Sequence, residues 1–413
     1  MSRSGSDESK EIRLSKIFFT VVSRLYGIPL RHMYNLKIRN ESEAFALKPP
    51  YILLSNHVNT FDPIIISVMH NRAVHWVAAD TLFRNKYLRY LLRRLVGSIS
   101  KSKSRSDYYT IKQITKTVKR GGVVGMFPEG QRTWDGKSLP LFYATAKLVR
   151  MLRVPLVFCT LEGGYHSLPR WSNKRRKGEL TIAYQKPLMP EEFSGLSTEE
   201  VYKLLTDRLQ HDAYDFQKKH HIIFKSSRRA EYLEHVLFMC PKCGSLDTLR
   251  SAGNDLNCSS CGFTVTVDRY GFFQPVEVLR DFRSPADWNS WQQKELIRRI
   301  LEGEWDDGKN LFSDDRIDLF VGYREERMKK LGTSRVAVNV GGMSVENHGR
   351  TLKYLFQDID SFAVAMQRNL EFYHQKSMYR LRFPAPQGSA YKYLAAYEAI
   401  TEAKKSLKEQ ISV

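Results

Sequence analysis

Between residues 50 and 190, short apolar runs alternate with amphipathic helical stretches, and few architectures accept that pattern. The runs are Tyr51–Leu54, His75–Ala79, Gly122–Phe127, Val154–Thr160 and Leu180–Tyr184. Helical spacing fills the gaps at 63–70, 82–96, 106–119 and 140–152. The alternation predicts an α/β domain built on a mixed, largely parallel sheet. A longer helix is expected over 198–219, opened by Ser197 with Glu200 three residues on, a capping-box spacing.

The chain has 413 residues, room for two or three domains, and 42% of them are hydrophobic, enough for a real core. Its formal net charge is +21, which favours an anionic partner: nucleic acid, an anionic membrane or acidic small molecules. Between 81 and 120 there are 12 Lys/Arg against the single acid Asp107. Leu88, Leu91, Leu92 and Leu95 run through that cluster, a combination that suits a lipid surface or a phosphorylated carrier. Lys174, Arg175, Arg176 and Lys177 form a second basic knot after Trp171.

No apolar run reaches the ~18 residues of a spanning helix. Leu14, Ile17, Phe18, Val21, Val22 and Leu25 recur at helical spacing among Lys10, Arg13, Lys16 and Arg24. Such a basic amphipathic helix fits a membrane interface, and it equally fits a helix packed on its own domain. Asp7, Glu8 and Glu11 precede it and no small-residue cleavage site follows, so no secretory signal is expected.

Two segments carry chemistry. In Ser55-Asn56-His57-Val58-Asn59-Thr60-Phe61-Asp62-Pro63, a strand delivers His57 to the start of the next helix, and Asp62 follows five residues later. A carboxylate brought onto one imidazole nitrogen fixes the other as an acceptor and makes His57 a general base. No protein nucleophile is then required. The plainer reading makes His57 a strand end and Asp62 a helix cap. In Phe127-Pro128-Glu129-Gly130-Gln131-Arg132-Thr133, which also leaves a strand, Gly130 permits close backbone approach and Arg132 offers a fork for phosphate. The plainer reading here is a loop with a Glu–Arg ion pair. Both segments fall at carboxyl ends of strands, where open α/β sheets bind ligands. The glycines from Gly130 to Gly136 are one residue too far apart for a phosphate-binding P-loop, and no Gly-x-Ser-x-Gly elbow is present.

Together these segments resemble the glycerolipid acyltransferase family typified by 1-acylglycerol-3-phosphate acyltransferases, over roughly residues 40–220. The family's His-x-x-x-x-Asp motif matches at His57 and Asp62. Its second motif is matched by Gly97 to Lys103, which keeps the glycine and a terminal cation but not the usual Phe-Ile pair. The third matches at Phe127, Pro128, Glu129, Gly130 and Arg132, with Thr133 in place of Ser. The fourth, an apolar residue and proline on a strand, matches at Val154 and Pro155. The resemblance implies acyl transfer from acyl-CoA or acyl carrier protein to a lysophospholipid hydroxyl, with 1-acylglycerol-3-phosphate the first choice of acceptor and another lysolipid the second. It implies that His57 and Asp62 are catalytic. It places Gly97, Lys101, Lys103, Phe127, Pro128, Glu129, Gly130, Arg132 and Pro155 around the substrate, Arg132 on the acceptor phosphate, and it calls for no catalytic cofactor.

Further on, Cys240-Pro-Lys-Cys243-Gly and Cys258-Ser-Ser-Cys261-Gly are separated by fourteen residues. Two such knuckles predict a tetrahedral four-cysteine site for a structural Zn2+, closed to substrate. Cys159, on an apolar run, is expected in the core. From 311 onward the pattern alternates with period 2, and a final helix is expected from about 389 to 407. This segment resembles a pleckstrin-homology-like barrel, while a small β domain of unrelated role fits the same alternation.

The sequence is thus expected to divide into an acyltransferase-like domain with its amphipathic helix at 1–225, a zinc ribbon at 236–270 and a β-rich domain at 305–413. The protein is expected on the cytoplasmic face of a membrane, peripheral or monotopic, with an acyl thioester, a lysophospholipid and the anionic membrane surface as partners. Nucleic acid explains the charge and the ribbon but leaves His57, Asp62, Glu129 and Arg132 without a role. A silent lipid-binding scaffold is the other rival.

Overall fold

The computed structural model describes residues 4–70, 72–101, 108–275, 282–306, 308–323, 326–375, 377–384 and 388–411; side chains before Ile17, those of Phe18, and those beyond Glu409 are outside the description. The chain falls into two compact units, residues 1–170 with 175–225, and residues 171–174 with 226–413.

The first unit holds a seven-stranded sheet: β1 (Leu36–Arg39), β2 (Tyr51–Ser55), β3 (Val74–Ala79), β4 (Ile99–Lys101), β5 (Val123–Met126), β6 (Leu156–Glu162) and β7 (Leu180–Tyr184). Their order is β1-β7-β6-β2-β5-β3-β4. All neighbours are parallel except β6 and β7, so the sheet is mixed and largely parallel, as the alternation predicts. Strand β2 is buried along its whole length because helices cover both faces of a parallel sheet. One face packs Ile52, Leu54, Val124, Met126, Leu156 and Phe158 against helical residues such as Ile114, Ala146, Val149 and Leu205.

Its helices are α1 (Ser4–Tyr34), α2 (Ser42–Ala46), α3 (Asp62–Met69), α4 (Lys86–Tyr90), α5 (Tyr108–Lys119), α6 (Tyr143–Leu152), α7 (Gly164–Ser167), α8 (Thr198–Leu209) and α9 (Ala213–His220). Two expected helices are broken. The 82–96 stretch stops at Asn85, whose side chain accepts from Tyr87 N and Leu88 N and so starts α4 afresh. The 198–219 stretch divides into α8 and α9. His211 N donates to the Ser138 hydroxyl at 2.9 Å, Ser138 N donates to His211 O at 2.9 Å, and Asp212 caps α9 through Tyr214 N and Asp215 N. These local bonds outweigh the helical periodicity.

The second unit begins with a four-stranded antiparallel ribbon: β8 (Leu249–Ala252), β9 (Asp255–Cys258), β10 (Thr264–Val267) and β11 (Phe273–Gln274). Then come α10 (Pro285–Leu301) and seven antiparallel strands, β12 (Phe312–Gly322), β13 (Lys329–Val338), β14 (Gly342–Asn347), β15 (Arg350–Leu355), β16 (Ile359–Ala365), β17 (Asn369–His374) and β18 (Ser377–Arg382). They are ordered β15-β14-β13-β12-β18-β17-β16, so the first strand pairs with the last. Helix α11 (Tyr391–Ile411) packs on β16, β17 and α10.

The cysteine ribbon and the β-rich segment share this unit. Gln292 on α10 accepts from Phe238 N and donates to Val236 O, and Trp288 donates to Met239 O. Arg299 donates to Gly244 O, behind the first knuckle. From α11, Lys392 joins Asp247 of the ribbon to Asp314 of β12. A helix absent from the sequence reading thus carries much of the docking.

Candidate active site

Strands β2 and β5 are parallel neighbours, so their carboxyl ends share one edge of the sheet. The chain leaves β2 towards His57 and leaves β5 into Phe127. The two chemistry-bearing segments meet there through three contacts.

Two of these contacts clamp the His57 peptide. Its N–H donates to Glu129 Oε1 at 3.0 Å, and its carbonyl accepts from Thr133 N at 3.0 Å. The third is a ring stack: His57 lies 4.2 Å from Phe127, centroid to centroid, at 17°. Trp76 of β3 extends the stack, its ring on Phe127 at 4.6 Å and 8°. Trp76 is itself fixed by Nε1 donating to Ser67 Oγ at 2.7 Å.

Asp62 opens α3 and is fully buried. Its Oδ2 accepts from Val58 N and Asn59 N, each at 2.8 Å, and from His57 Nδ1 at 2.9 Å. The backbone N–H groups hold the carboxylate in place, and a carboxylate only accepts, so Nδ1 carries the imidazole proton. Nε2 is left with its lone pair. The His57 side chain retains 20% exposure, so it is open to a small group from outside. Burial pushes the imidazole below its usual range; Asp62 opposes this, and the cations Arg132 and Arg170 add to it. The imidazole is therefore neutral, and able to take a proton, at physiological pH.

Glu129 is buried, and both carboxylate oxygens are occupied: Oε1 by His57 N and Oε2 by Leu139 N at 2.9 Å. Burial pushes its carboxyl up to about 8, against the two backbone N–H bonds. In this arrangement Glu129 is a strut between the segments. Gly130 adopts φ +68°, its N–H returns to Phe127 O at 2.9 Å, and the Phe142 ring fills the place of a Cβ. Pro128 contributes its carbonyl, which accepts from Phe142 N at 2.9 Å.

Arg132 lies within electrostatic reach of both His57 and Asp62. Its carbonyl accepts from Arg170 Nη1 at 2.6 Å, and the Arg170 guanidinium lies 4.1 Å from the Trp134 ring. Arg170 is buried and was not among the residues singled out from sequence. Lys101 Nζ stands 4.6 Å from the Phe142 ring, one ring away from Gly130. Lys103 lies outside the described residues.

Two expected substrate residues lie elsewhere. Pro155 precedes β6, and its carbonyl accepts from Ile52 N at 3.0 Å, at the amino end of the parallel strands. That is the edge opposite His57, because the proline precedes its strand and the histidine follows the end of its own. Gly97 caps the turn before β4 with φ +67°, beside the His75 ring, and presents only backbone.

Signals for the missed residues were faint. Gly125, inside an apolar run, pairs with Trp76, whose ring occupies the space a Cβ would need. A glycine within a strand pattern marks such close approach. Nothing in the sequence marks Arg170.

Residues 35–162 match the protein-family model described as Acyltransferase. The chain is 24% identical over 170 residues to the 1-acyl-sn-glycerol-3-phosphate acyltransferase of Bacillus subtilis, covering 41% of this chain and 82% of that protein. It is 21% identical over 193 residues to the human 1-acyl-sn-glycerol-3-phosphate acyltransferase alpha, covering 46% and 67%. Among solved structures, the 1-acyl-sn-glycerophosphate acyltransferase PlsC of Thermotoga maritima aligns at 17% identity with a TM-score of 0.38, over 51% of this chain and 97% of that one.

Proposed function

The chain carries an acyltransferase domain of the 1-acylglycerol-3-phosphate acyltransferase-like family, and from that premise we propose that it acylates the free hydroxyl of a lysophospholipid. The acceptor of first choice is 1-acylglycerol-3-phosphate, giving phosphatidic acid, and the donor is acyl-CoA or acyl carrier protein. The observation that carries the reading is His57 Nδ1 on Asp62 Oδ2 at 2.9 Å, with Nε2 left to accept.

In the reaction, Nε2 takes the proton of the acceptor hydroxyl as its oxygen attacks the thioester carbonyl carbon. The carbon–sulfur bond breaks as the tetrahedral intermediate collapses. The imidazolium, steadied by Asp62, returns its proton to the departing thiolate. A base so placed contributes roughly 10²–10⁴ in rate. Arg132 holds the acceptor phosphate, which brings the hydroxyl to His57 and supplies orientation.

The surface supports a peripheral site on the cytoplasmic face of a membrane. Ile17, Val21, Leu25 and Ile28 are all exposed and form one stripe on α1. Helix α1 packs on α3 and on residues 91–96, where Ile64 and Leu91 are also exposed, as are Phe61 just before α3 and Tyr87, Leu88 and Tyr90 of α4. Arg24, Lys86, Arg93 and Arg94 are exposed on the same elements, so apolar insertion and attraction to anionic lipid go together. Among the described residues no helix is long and apolar enough to cross a membrane.

The four cysteines suit a structural Zn2+. The Sγ atoms of Cys240 and Cys261, and of Cys243 and Cys258, are 3.8 Å apart. All four lie within 4.8 Å of one another. Zn–S bonds of ~2.3 Å in a tetrahedron require ~3.8 Å between sulfurs. The β-rich segment is read as pleckstrin-homology-like on its strand order and terminal helix.

The test is acyl transfer to 1-acylglycerol-3-phosphate by purified protein beside His57→Ala, with each donor and with membranes supplied. Thioester-dependent product from the native protein, lost in the folded variant, is the expected result. Equal turnover by both would sink the assignment of the base. No turnover with any lysolipid would sink the reaction.

A further inference from the structure

We propose that the groove at the β16–β17 turn binds a phosphate-bearing anion of the kind a phospholipid headgroup carries. The inference stands apart from the acyl-transfer reading, since every residue in it belongs to the second unit. The cavity is about 310 Å3 and is lined by Met366, Gln367, Arg368, Asn369 and Arg382.

The cross-strand pairs show why it is cationic. Arg380 and Arg382 project from the same face of β18. Arg380 faces Glu371 on β17 and donates to it at 2.9 and 2.5 Å, so its charge is met. Arg382 faces Asn369, where it finds only an amide, with Nε to Oδ1 at 3.3 Å. On its other side the register sets Asp318 of β12 beside it. Asp318 Oδ1 is already held by Lys330 Nζ at 2.7 Å and Thr333 Oγ1 at 3.1 Å. Arg368 donates to the Phe383 carbonyl at 3.2 Å. Among the described residues neither Arg368 nor Arg382 forms an ion pair.

Two guanidiniums thus stand in one concavity with only neutral hydrogen-bond acceptors, Arg382 also within electrostatic reach of Asp318, and donors are left over. The Arg382 fork is oriented by the Phe320 ring, 4.8 Å from it, and Gln367 is fixed by donating to Ser172 O at 2.6 Å. Guanidinium pairs of this kind suit tetrahedral oxyanions, which accept several charge-assisted bonds at once. Met366, at the tip of the turn, is 59% exposed. An apolar tip beside a cationic groove matches a membrane edge, with methionine among the upper acyl carbons and the arginines at the phosphate. That favours a lipid headgroup over phosphate free in solution.

The test uses the full chain with vesicles of phosphatidylcholine alone, or containing phosphatidic acid or phosphatidylserine at matched charge. Arg368→Gln with Arg382→Gln is compared with Lys404→Gln plus Lys405→Gln, an equal loss of charge on exposed α11 positions outside the groove. Thermal melting confirms that both are folded. The arginine pair is expected to weaken binding to phosphatidic acid vesicles roughly tenfold or more, the lysine pair far less. Inorganic phosphate, titrated against the same proteins, separates the sources. Arginine-dependent phosphate binding without any vesicle preference keeps the site and makes free phosphate its ligand. Equal weakening by the two double variants, or none by the arginine pair with either probe, overturns the proposal.

Discussion

Glu129 Oε1 accepts the backbone N–H of His57 at 3.0 Å, so the buried carboxyl of one segment holds the peptide of the histidine in the other. This relationship predicts the behaviour of Glu129→Gln. Glutamine keeps the volume but offers one accepting oxygen, and its NH2 must face either His57 N or Leu139 N, donor to donor. An unsatisfied buried N–H costs about 1–3 kcal/mol. The variant is expected to melt earlier and to lose kcat, while KM for the acceptor changes little. A rise in KM alone, with kcat and melting intact, would show that Glu129 serves the acceptor instead.

Asp62→Asn separates the negative charge behind His57 from folding. The asparagine oxygen can still accept from Val58 N and Asn59 N, so the turn into α3 is kept. Because all three donors converge on Oδ2, that oxygen also keeps Nδ1–H, and the NH2 takes the place of Oδ1; what is lost is the negative charge that steadies the imidazolium when His57 takes the proton. The expected loss in kcat is roughly 10²–10⁴, with near-native melting. A variant retaining most of its turnover would show that Asp62 acts only as the helix cap.

The pH profile follows from the cations around His57. Its imidazole is held below 6.5, chiefly by burial, with Arg132 and Arg170 lowering it further against Asp62. The free-enzyme rate, kcat/KM, is expected to fall on the acid side with an inflection below 6.5. Arg132→Gln removes one of the lowering charges, so the inflection moves up. Stability follows the same sign: a depressed group contributes above its unfolded pKa and loses that contribution as pH falls through its folded value. An unmoved inflection in the variant would mean that Arg132 is electrostatically remote from the base.

The sheet and the pairing of the two motif segments were legible because each rests on local pattern. Apolar runs gave the strands, and parallel neighbours bring their carboxyl ends together without further information. The roles within the site were less legible. Phe127 and Glu129 stand in a motif suited to substrate, yet one stacks on the imidazole and the other holds a peptide N–H. Those contacts depend on the register between β2 and β5, which no local signal sets. Pro155 misled because a motif reports order along the chain, not which end of a strand it occupies. Helix α10 was passed over because its buried face includes Asn289 and Gln292, polar residues that dilute the apolar stripe. The four-cysteine ribbon, by contrast, was legible from spacing alone.

Cys243→Ser tests the metal without disturbing packing, because Cys243 is exposed whereas Cys240 is buried. One zinc per chain is expected by elemental analysis, and less in the variant. The knuckles are tied to α10 through Arg299 and Gln292 and to α11 through Lys392, so loosening them reaches the whole second unit. A loss of ~3 kcal/mol would lower its melting midpoint by roughly 6–12 °C. Chelator should produce the same shift in the native protein and little more in the variant. Full zinc content with an unchanged midpoint would remove Cys243 from the ligand set.

Trp76→Leu tests the outermost ring of the stack. Leucine cannot present a flat face to Phe127, and it leaves a void over Gly125 where the indole now lies. A cavity of that kind costs about 2–4 kcal/mol. The functional effect is expected to reach the base through Phe127, so kcat should fall while KM for both substrates stays near native. Trp76→Phe retains a ring and should restore most of kcat, though Ser67 loses its donor. If leucine and phenylalanine variants lose stability equally and turn over equally, the stack supports the fold and has no part in orienting His57.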